Sequence, residues 1–147
     1  MQRIVVAAKA GADHPWLADA VAQLAGETGA AVEVVSVDGV EMEALSTLPR
    51  SELAALAREA VDRMIARLAE RGLTATGEVR PGRVTRGILL FAEEREADVI
   101  VCGASVRGPV ASRMLGSVPL ELVQRSRRPV LVITPPHRQE ERHGDDA

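Results

Sequence analysis

The sequence is almost devoid of aromatic side chains. Among its 147 residues, Trp16 and Phe91 are the only Trp and Phe, and there is no tyrosine. Stacking platforms for single-stranded nucleic acid are therefore missing. The formal net charge of −3 also provides no positive field that would attract a phosphate backbone. We therefore expect no nucleic-acid partner, and a core built from aliphatic residues.

Cysteine and long apolar runs are scarce as well. Cys102 is the single cysteine, so an internal disulfide cannot form. It ends an apolar stretch and is expected to be a buried small residue rather than a reactive thiol. The first apolar run, residues 4–8, is stopped by Lys9, too early for a signal peptide, and no segment approaches the roughly 20 apolar residues of a membrane span. These absences predict a cytoplasmic protein with no membrane partner.

The chain does contain short β-branched runs that alternate with helical patterns. Its length, with 46% hydrophobic and 27% charged residues, fits one domain, for which we expect residues 1–137, followed by a charged flexible tail over 138–147. The predicted strands cover residues 4–8, 32–37, 73–79, 99–102 and 130–133. The predicted helices run from Pro15 to a cap at Gly29, from a cap at Ser51 to about Gly72, from Val84 to about Glu96, and from a cap at Ser117 to before Pro129.

This alternation predicts a three-layer α/β/α fold, because parallel strands need crossover helices that cover both faces of the sheet. The polar stretch 73–79 is typical of an edge strand, whereas 99–102 reads as an interior strand. Ligands of such sheets bind at the carboxyl ends of the strands, where the strand order reverses. The loops that follow Ala8, Val37 and Cys102 are therefore the places to look for a site.

One spaced motif lies in the last of these loops. Neither the dinucleotide pattern G-x-G-x-x-G nor the phosphate loop G-x-x-x-x-G-K-[ST] is present. Gly103-Ala-Ser-Val106 is instead followed, after nine residues, by Gly116-Ser117-Val118 at the start of a predicted helix. Glycines allow a ligand to approach the backbone closely, and the N–H groups at a helix N-terminus favour phosphate oxygens. A polyphosphate is a plausible ligand for this loop, with the Ser117 hydroxyl as an additional contact.

At these residues the chain resembles the universal stress protein family, whose nucleotide-binding members carry G-x-x-G, nine residues and G-[ST]. The resemblance spans about residues 2–134 and includes residues 4–8, 97–103, 115–118 and 128–133. It implies a flavodoxin-like five-stranded parallel sheet in the order 3-2-1-4-5, and ATP or another adenine nucleotide as ligand, with Mg²⁺ accompanying it. It further implies a stress-response module that is not an enzyme, has a protein partner not identifiable from the sequence, and forms a homodimer. The dimer would form through the last strand, Val130, Leu131, Val132 and Ile133.

The resemblance also implies which residues contact the nucleotide. Ala8, Lys9 and Val37 would lie near the adenosine, and the phosphates would be surrounded by Gly103, Val106, Arg107, Gly116, Ser117 and Val118. Two positions depart from the family pattern, since Val106 replaces the second glycine and Lys9 replaces an aspartate. A β-branched residue is strained at positive φ, and a lysine cannot accept hydrogen bonds from ribose hydroxyls.

Other interpretations remain open at the sequence level. Gly103 and Gly116 also fit as turn residues, with Ser117 as a structural cap, and the same fold could serve as a nucleotide-free interaction module. ATP hydrolysis is a third possibility, although no Ser/His/Asp or Cys/His set is placed by spacing. His14 lies near the expected ligand mouth and could contact a ligand or simply begin the helix. Arg107 and Arg113 in the glycine loop could contact phosphate or be solvated. His137 and His143 flank Glu140 and Glu141, where a solvated charged tail is favoured over a metal site.

Overall fold

A computed structural model describes residues 1–39, 47–104 and 116–136, and strands and helices alternate along them. The strands are β1 (Arg3–Ala7), β2 (Ala31–Val37), β3 (Ala75–Arg80), β4 (Val99–Gly103) and β5 (Val130–Ile133). The helices are α1 (Pro15–Thr28), α2 (Arg50–Glu70), α3 (Val84–Glu94) and α4 (Ser117–Arg125).

The five strands form one parallel sheet in the order β3-β2-β1-β4-β5, which confirms the predicted order. Alternate side chains of each strand enter different cores. Val6 and Val34 pack with α1 and α2 on one face, and Val5 and Val35 pack with α3 and α4 on the other. The predicted three layers are therefore confirmed, and the polar strand β3 lies at an edge as expected.

Several element boundaries differ from the predicted ones by one or two residues. β1 covers 3–7 instead of 4–8, and α3 ends at Glu94 instead of about Glu96. β3 begins at Ala75 because its register is set by β2, with Val32 opposite Ala75. Leu73, predicted to start that strand, instead donates its N–H to the Leu68 carbonyl at 3.0 Å and so closes the end of α2.

The helix caps are partly as predicted. Gly29 has a φ of 75° and donates its N–H to the Ala25 carbonyl, which confirms it as the cap of α1. The prediction of Ser51 as the cap of α2 is wrong, because Pro49 takes the N-cap position and its carbonyl accepts the first helical bonds. The prediction of Ser117 as the cap of α4 is also wrong, because the extended backbone of Gly116 takes that position and Ser117 is the first helical residue.

An ionic cluster covers the outer part of β3 and the adjoining end of α3. Arg80 pairs with Glu94 at 2.7 Å and with Glu78 at 2.9 Å, and Arg95 pairs with Glu78. The guanidinium carbons of Arg80 and Arg95 lie 5.1 and 4.9 Å from the centre of the Phe91 ring. Phe91 thus joins the core beneath α3 to the charged edge, with cation–π contacts from both arginines.

Cys102 gives a first testable prediction. Its side chain is buried, and this burial raises the pKa of the thiol to about 11. Because the thiolate is the reactive form, the folded protein should react negligibly with a disulfide reagent at pH 8, and unfolding in urea should release one reactive thiol per chain. Rapid labelling of the native protein would contradict both the burial and the interpretation of this residue as a packing group.

Candidate functional site

The sheet offers a crevice at the carboxyl ends of β1 and β4. The chain leaves β1 toward β2 on one side and leaves β4 toward β5 on the other, so the strand order reverses between them. In doubly wound sheets this is the place where ligands bind. Three of the predicted site residues lie at these strand ends: Ala8 and Lys9 follow β1, and Gly103 is the last residue of β4.

The two residues predicted to lie beside a base occupy the same edge but face different cores. Ala8 is buried with α1 and α2, and its N–H donates to the Val35 carbonyl at 2.8 Å. Val37 is buried with α3 and packs so tightly on Gly87 that a Cβ there would lie 2.7 Å from Val37 Cγ2. The structure therefore does not bring these two side chains together. The side chain of Val37 is buried in the core.

Gly103 is held under two aromatic rings, those of His14 at the N-cap of α1 and of Trp16 in its first turn. A Cβ on Gly103 would lie 2.8 Å from Cη2 of Trp16 and 3.3 Å from Nδ1 of His14. Its φ is not positive, so packing rather than backbone freedom explains the glycine. The two rings are stacked on each other, with centroids 4.6 Å apart and planes 27° apart.

His14 is half-buried, and its surroundings keep it neutral near pH 7. Burial lowers the pKa of the imidazole, the charge of Lys9 lowers it further, and Asp13 opposes them. Asp13 receives a hydrogen bond from Arg67 Nη2 at 2.8 Å, which also lowers the pKa of Asp13 and ties the β1–α1 loop to α2. A narrow cleft opens beside these residues, lined by Ala8, Lys9, Ala12, Asp13, His14, Leu17, Ala60, Arg63 and Met64.

The N-terminus of α4 lies directly after Gly116. Among the described residues no side chain caps it, and its first turn contains no acidic residue. Pro119 has no N–H, so the N–H groups that the first turn presents are those of Ser117 and Val118. Of the described atoms, a Cβ on Gly116 would meet only Cδ of Pro119, at 3.7 Å. Ser117 is exposed, whereas Val118 packs against the core beneath α3 and α4.

The remaining predicted residues cannot be placed. Val106, Arg107, Arg113, His137 and His143 lie outside the described residues, as do Glu140 and Glu141. The boundary between the domain and the tail at residue 137 stays a prediction for the same reason. Within the described ranges no group of three or more His, Cys, Asp or Glu residues could hold a metal ion. None of the helices in those ranges combines the length and apolar character needed to cross a bilayer.

A family model for the universal stress protein family matches residues 1–134, nearly the whole chain. The chain belongs to the universal stress protein family. No protein with a curated description matches this universal stress protein. Among solved structures, a universal stress protein from Archaeoglobus fulgidus is 23% identical, with 90% of this chain and 98% of that chain covered and a TM-score of 0.74.

Two further solved structures contain nucleotides. A universal stress protein from Archaeoglobus fulgidus in complex with dAMP is 22% identical, covers 90% of this chain and 98% of its own, and has a TM-score of 0.68. A universal stress protein in complex with cAMP is 27% identical, with 90% of this chain and 96% of that chain covered and a TM-score of 0.62. These likenesses agree with the fold described above.

Sequence reasoning missed two residues at the site of this universal stress protein. Trp16 was not predicted there, although it is the only tryptophan and lies two residues beyond His14. Asp38, directly after β2, was not predicted there either. Its carboxylate is buried and accepts a hydrogen bond from Arg50 Nη2 at 3.0 Å. A charged residue that ends a buried strand was the available signal for Asp38.

Proposed function

We propose that this universal stress protein binds an adenine nucleotide in the crevice between β1 and β4 and acts as a nucleotide-responsive module rather than a catalyst. The observation that carries the proposal is the N-terminus of α4, which in the described part of the chain has no side-chain cap and no acidic residue in its first turn, directly after Gly116. Phosphate groups bind well at such helix ends. The relatives in complex with dAMP and cAMP support the choice of an adenine nucleotide.

In this proposal the phosphates of the nucleotide contact the N-terminus of α4. The N–H groups of Ser117 and Val118 donate to phosphate oxygens, and the Ser117 hydroxyl donates a further hydrogen bond. Lys9 is exposed at the end of β1 and contributes positive charge at the crevice. No described carboxylate ends β1, so ribose hydroxyls lack the acceptor that the family pattern would provide there, and we expect weakened affinity. Mg²⁺ would accompany a polyphosphate without a ligand cluster of its own.

Ligand-induced stabilisation is the direct test of nucleotide binding. A ligand that binds only the folded state raises stability by about 2.7 kcal/mol at a hundredfold excess over its Kd, or several degrees in Tm for a domain of this size. We expect such a rise with millimolar AMP or ATP. Gly116→Val should abolish it, because the new side chain occupies the phosphate position while meeting little of the protein.

Matched variants sharpen this test. Ser117→Ala should reduce the shift, and Gly26→Ala, in open space on α1, should leave it unchanged. The absence of any shift with millimolar nucleotide would remove the proposal. Nucleotide hydrolysis that survives both Gly116→Val and Ser117→Ala would be assigned to a contaminant, in keeping with a non-catalytic role.

A nucleotide-free interaction module of the same fold is the second candidate. It is favoured by the rings of His14 and Trp16, which already fill the space over Gly103. Mass spectrometry of small molecules released from protein purified without added ligand discriminates between the two. A retained nucleotide supports the first candidate, and its absence, together with no thermal shift, supports the second.

In both cases we propose a homodimer formed through β5 and located in the cytoplasm, where a lone buried cysteine is in keeping with reducing conditions. β5 pairs only with β4 among the described strands, so its other edge has unpaired backbone groups. Exposed apolar side chains lie on this strand and on the helix that contacts it: Leu131 is 40% exposed, and Leu120 and Val123 of α4 are 46% and 53% exposed. A second copy of the strand would cover them across a two-fold axis.

A further inference from the structure

The chain places two of its few aromatic rings at the candidate site. His14 at the N-cap of α1 and Trp16 in its first turn lie at the carboxyl end of the sheet and stack on each other over the end of β4. The third described aromatic ring, that of Phe91 on α3, is buried in the core between this helix and the sheet. A chain with so few aromatics could have covered Gly103 with aliphatic side chains, so a stacked pair at this position calls for an explanation.

The pair has one face fixed by the fold. Trp16 packs against the core between the sheet and the helices α1 and α2, and its ring edge rests on Gly103. His14 stacks on Trp16 and lines the cleft beside Lys9 and Ala8. In the described part of the chain no hydrogen bond to the imidazole is found, and the ring is only half-buried. The imidazole is therefore a supported ring with access to solvent.

We propose that the stacked pair of His14 and Trp16 is the surface on which the base of a purine nucleotide stacks. The proposal rests on the nucleotide-binding function proposed above. A flat aromatic surface attracts a base through its π-face, and such stacking contributes about 5- to 100-fold in affinity per base. A neutral imidazole supported by an indole provides this surface without any charge that would have to be paired.

The position of the pair fits a ligand that spans the crevice. The two rings lie on the face of the sheet covered by α1 and α2, whereas α4 packs on the opposite face. A nucleotide with its base on the pair and its phosphates at the N-terminus of α4 would cross the carboxyl ends of β1 and β4. This arrangement assigns base recognition to α1, where the sequence interpretation had given it to Ala8 and Val37.

The test compares two variants of His14 with the wild type in AMP titrations by calorimetry. His14→Ala removes the ring, and His14→Phe keeps a ring but removes its nitrogens. We expect His14→Ala to weaken AMP binding about 5- to 50-fold and His14→Phe to stay within about threefold of the wild type. AMP should also change the emission of Trp16, the only tryptophan, in the wild type and in His14→Phe.

The outcomes separate this proposal from the one on which it rests. If the wild type does not bind AMP, nucleotide binding itself fails, and the stacking surface fails with it. If the wild type binds AMP and His14→Ala binds it equally or more tightly, only the stacking surface is overturned. Equal weakening in His14→Ala and His14→Phe would also overturn it, because a lost imidazole hydrogen bond or a packing effect would then explain the change. Ligand-free unfolding midpoints of both variants verify that each is folded.

Discussion

Leu131→Lys is expected to convert the proposed dimer to a monomer of 15.6 kDa. Leu131 is 40% exposed on the edge strand β5 and would be buried when two copies of this strand pair. A lysine there would have to lose its hydration inside an apolar contact, and charged side chains on edge strands are a common means of blocking such pairing. Light scattering coupled to size-exclusion chromatography measures the mass directly.

The matched control for this experiment is Leu90→Lys. Leu90 is 51% exposed on α3, a helix that packs on β2 and beside α4 and contributes no strand to the sheet border at β5. This control should keep the mass of the wild type. A monomeric wild type, or a Leu131→Lys variant that remains dimeric, would contradict assembly through β5.

Phe91→Ala is expected to cost about 3–5 kcal/mol of the free energy of unfolding, the range for removing a buried aromatic side chain. Phe91 is 1% exposed, and its ring also lies between the guanidinium groups of Arg80 and Arg95. Truncation therefore leaves a cavity and removes two cation–π contacts. Urea denaturation followed by circular dichroism gives the free energy of unfolding and its dependence on urea.

Two comparisons separate the contributions at Phe91. Phe91→Leu keeps most of the side-chain volume and should therefore lose less of the free energy of unfolding than Phe91→Ala. The stability that Phe91→Leu does lose includes the cation–π contacts of the ring. Leu90→Ala, the neighbouring exposed position, should change stability by no more than about 0.5 kcal/mol. A loss below 1 kcal/mol in Phe91→Ala would mean that the ring does not hold α3 on the sheet.

The sequence patterns were sufficient to predict the fold class because their signals are local and repeated, whereas the strand order was implied by the family resemblance. β-branched runs such as residues 99–102 alternate with helical patterns, and this alternation leads to a parallel sheet whatever the details of packing. Boundaries and caps were less predictable. Ser51 and Ser117 are good capping residues by type, but Pro49 and Gly116 have the extended backbone that the N-cap position requires.

The site was predictable in position but not in its contacts. The carboxyl ends of β1 and β4 followed from topology, and Gly116 and Ser117 do begin a helix without a side-chain cap. Gly103 was read as an opening for a ligand, whereas the rings of Trp16 and His14 lie over it. That contact joins residues nearly ninety positions apart, and no local pattern encodes it.

The two borders of the sheet differ in chemistry, and this difference limits how the protein can assemble. β3 presents Glu78 and Arg80 within an ionic cluster, which discourages a neighbouring strand from adding there, whereas β5 is flanked by apolar side chains. When a subunit has one sheet edge able to pair, and that edge pairs with the same edge of a second copy, no edge is left to bind a third subunit. In the proposed dimer, growth would therefore stop at two chains, and extended fibres would not form through the sheet borders at high concentration.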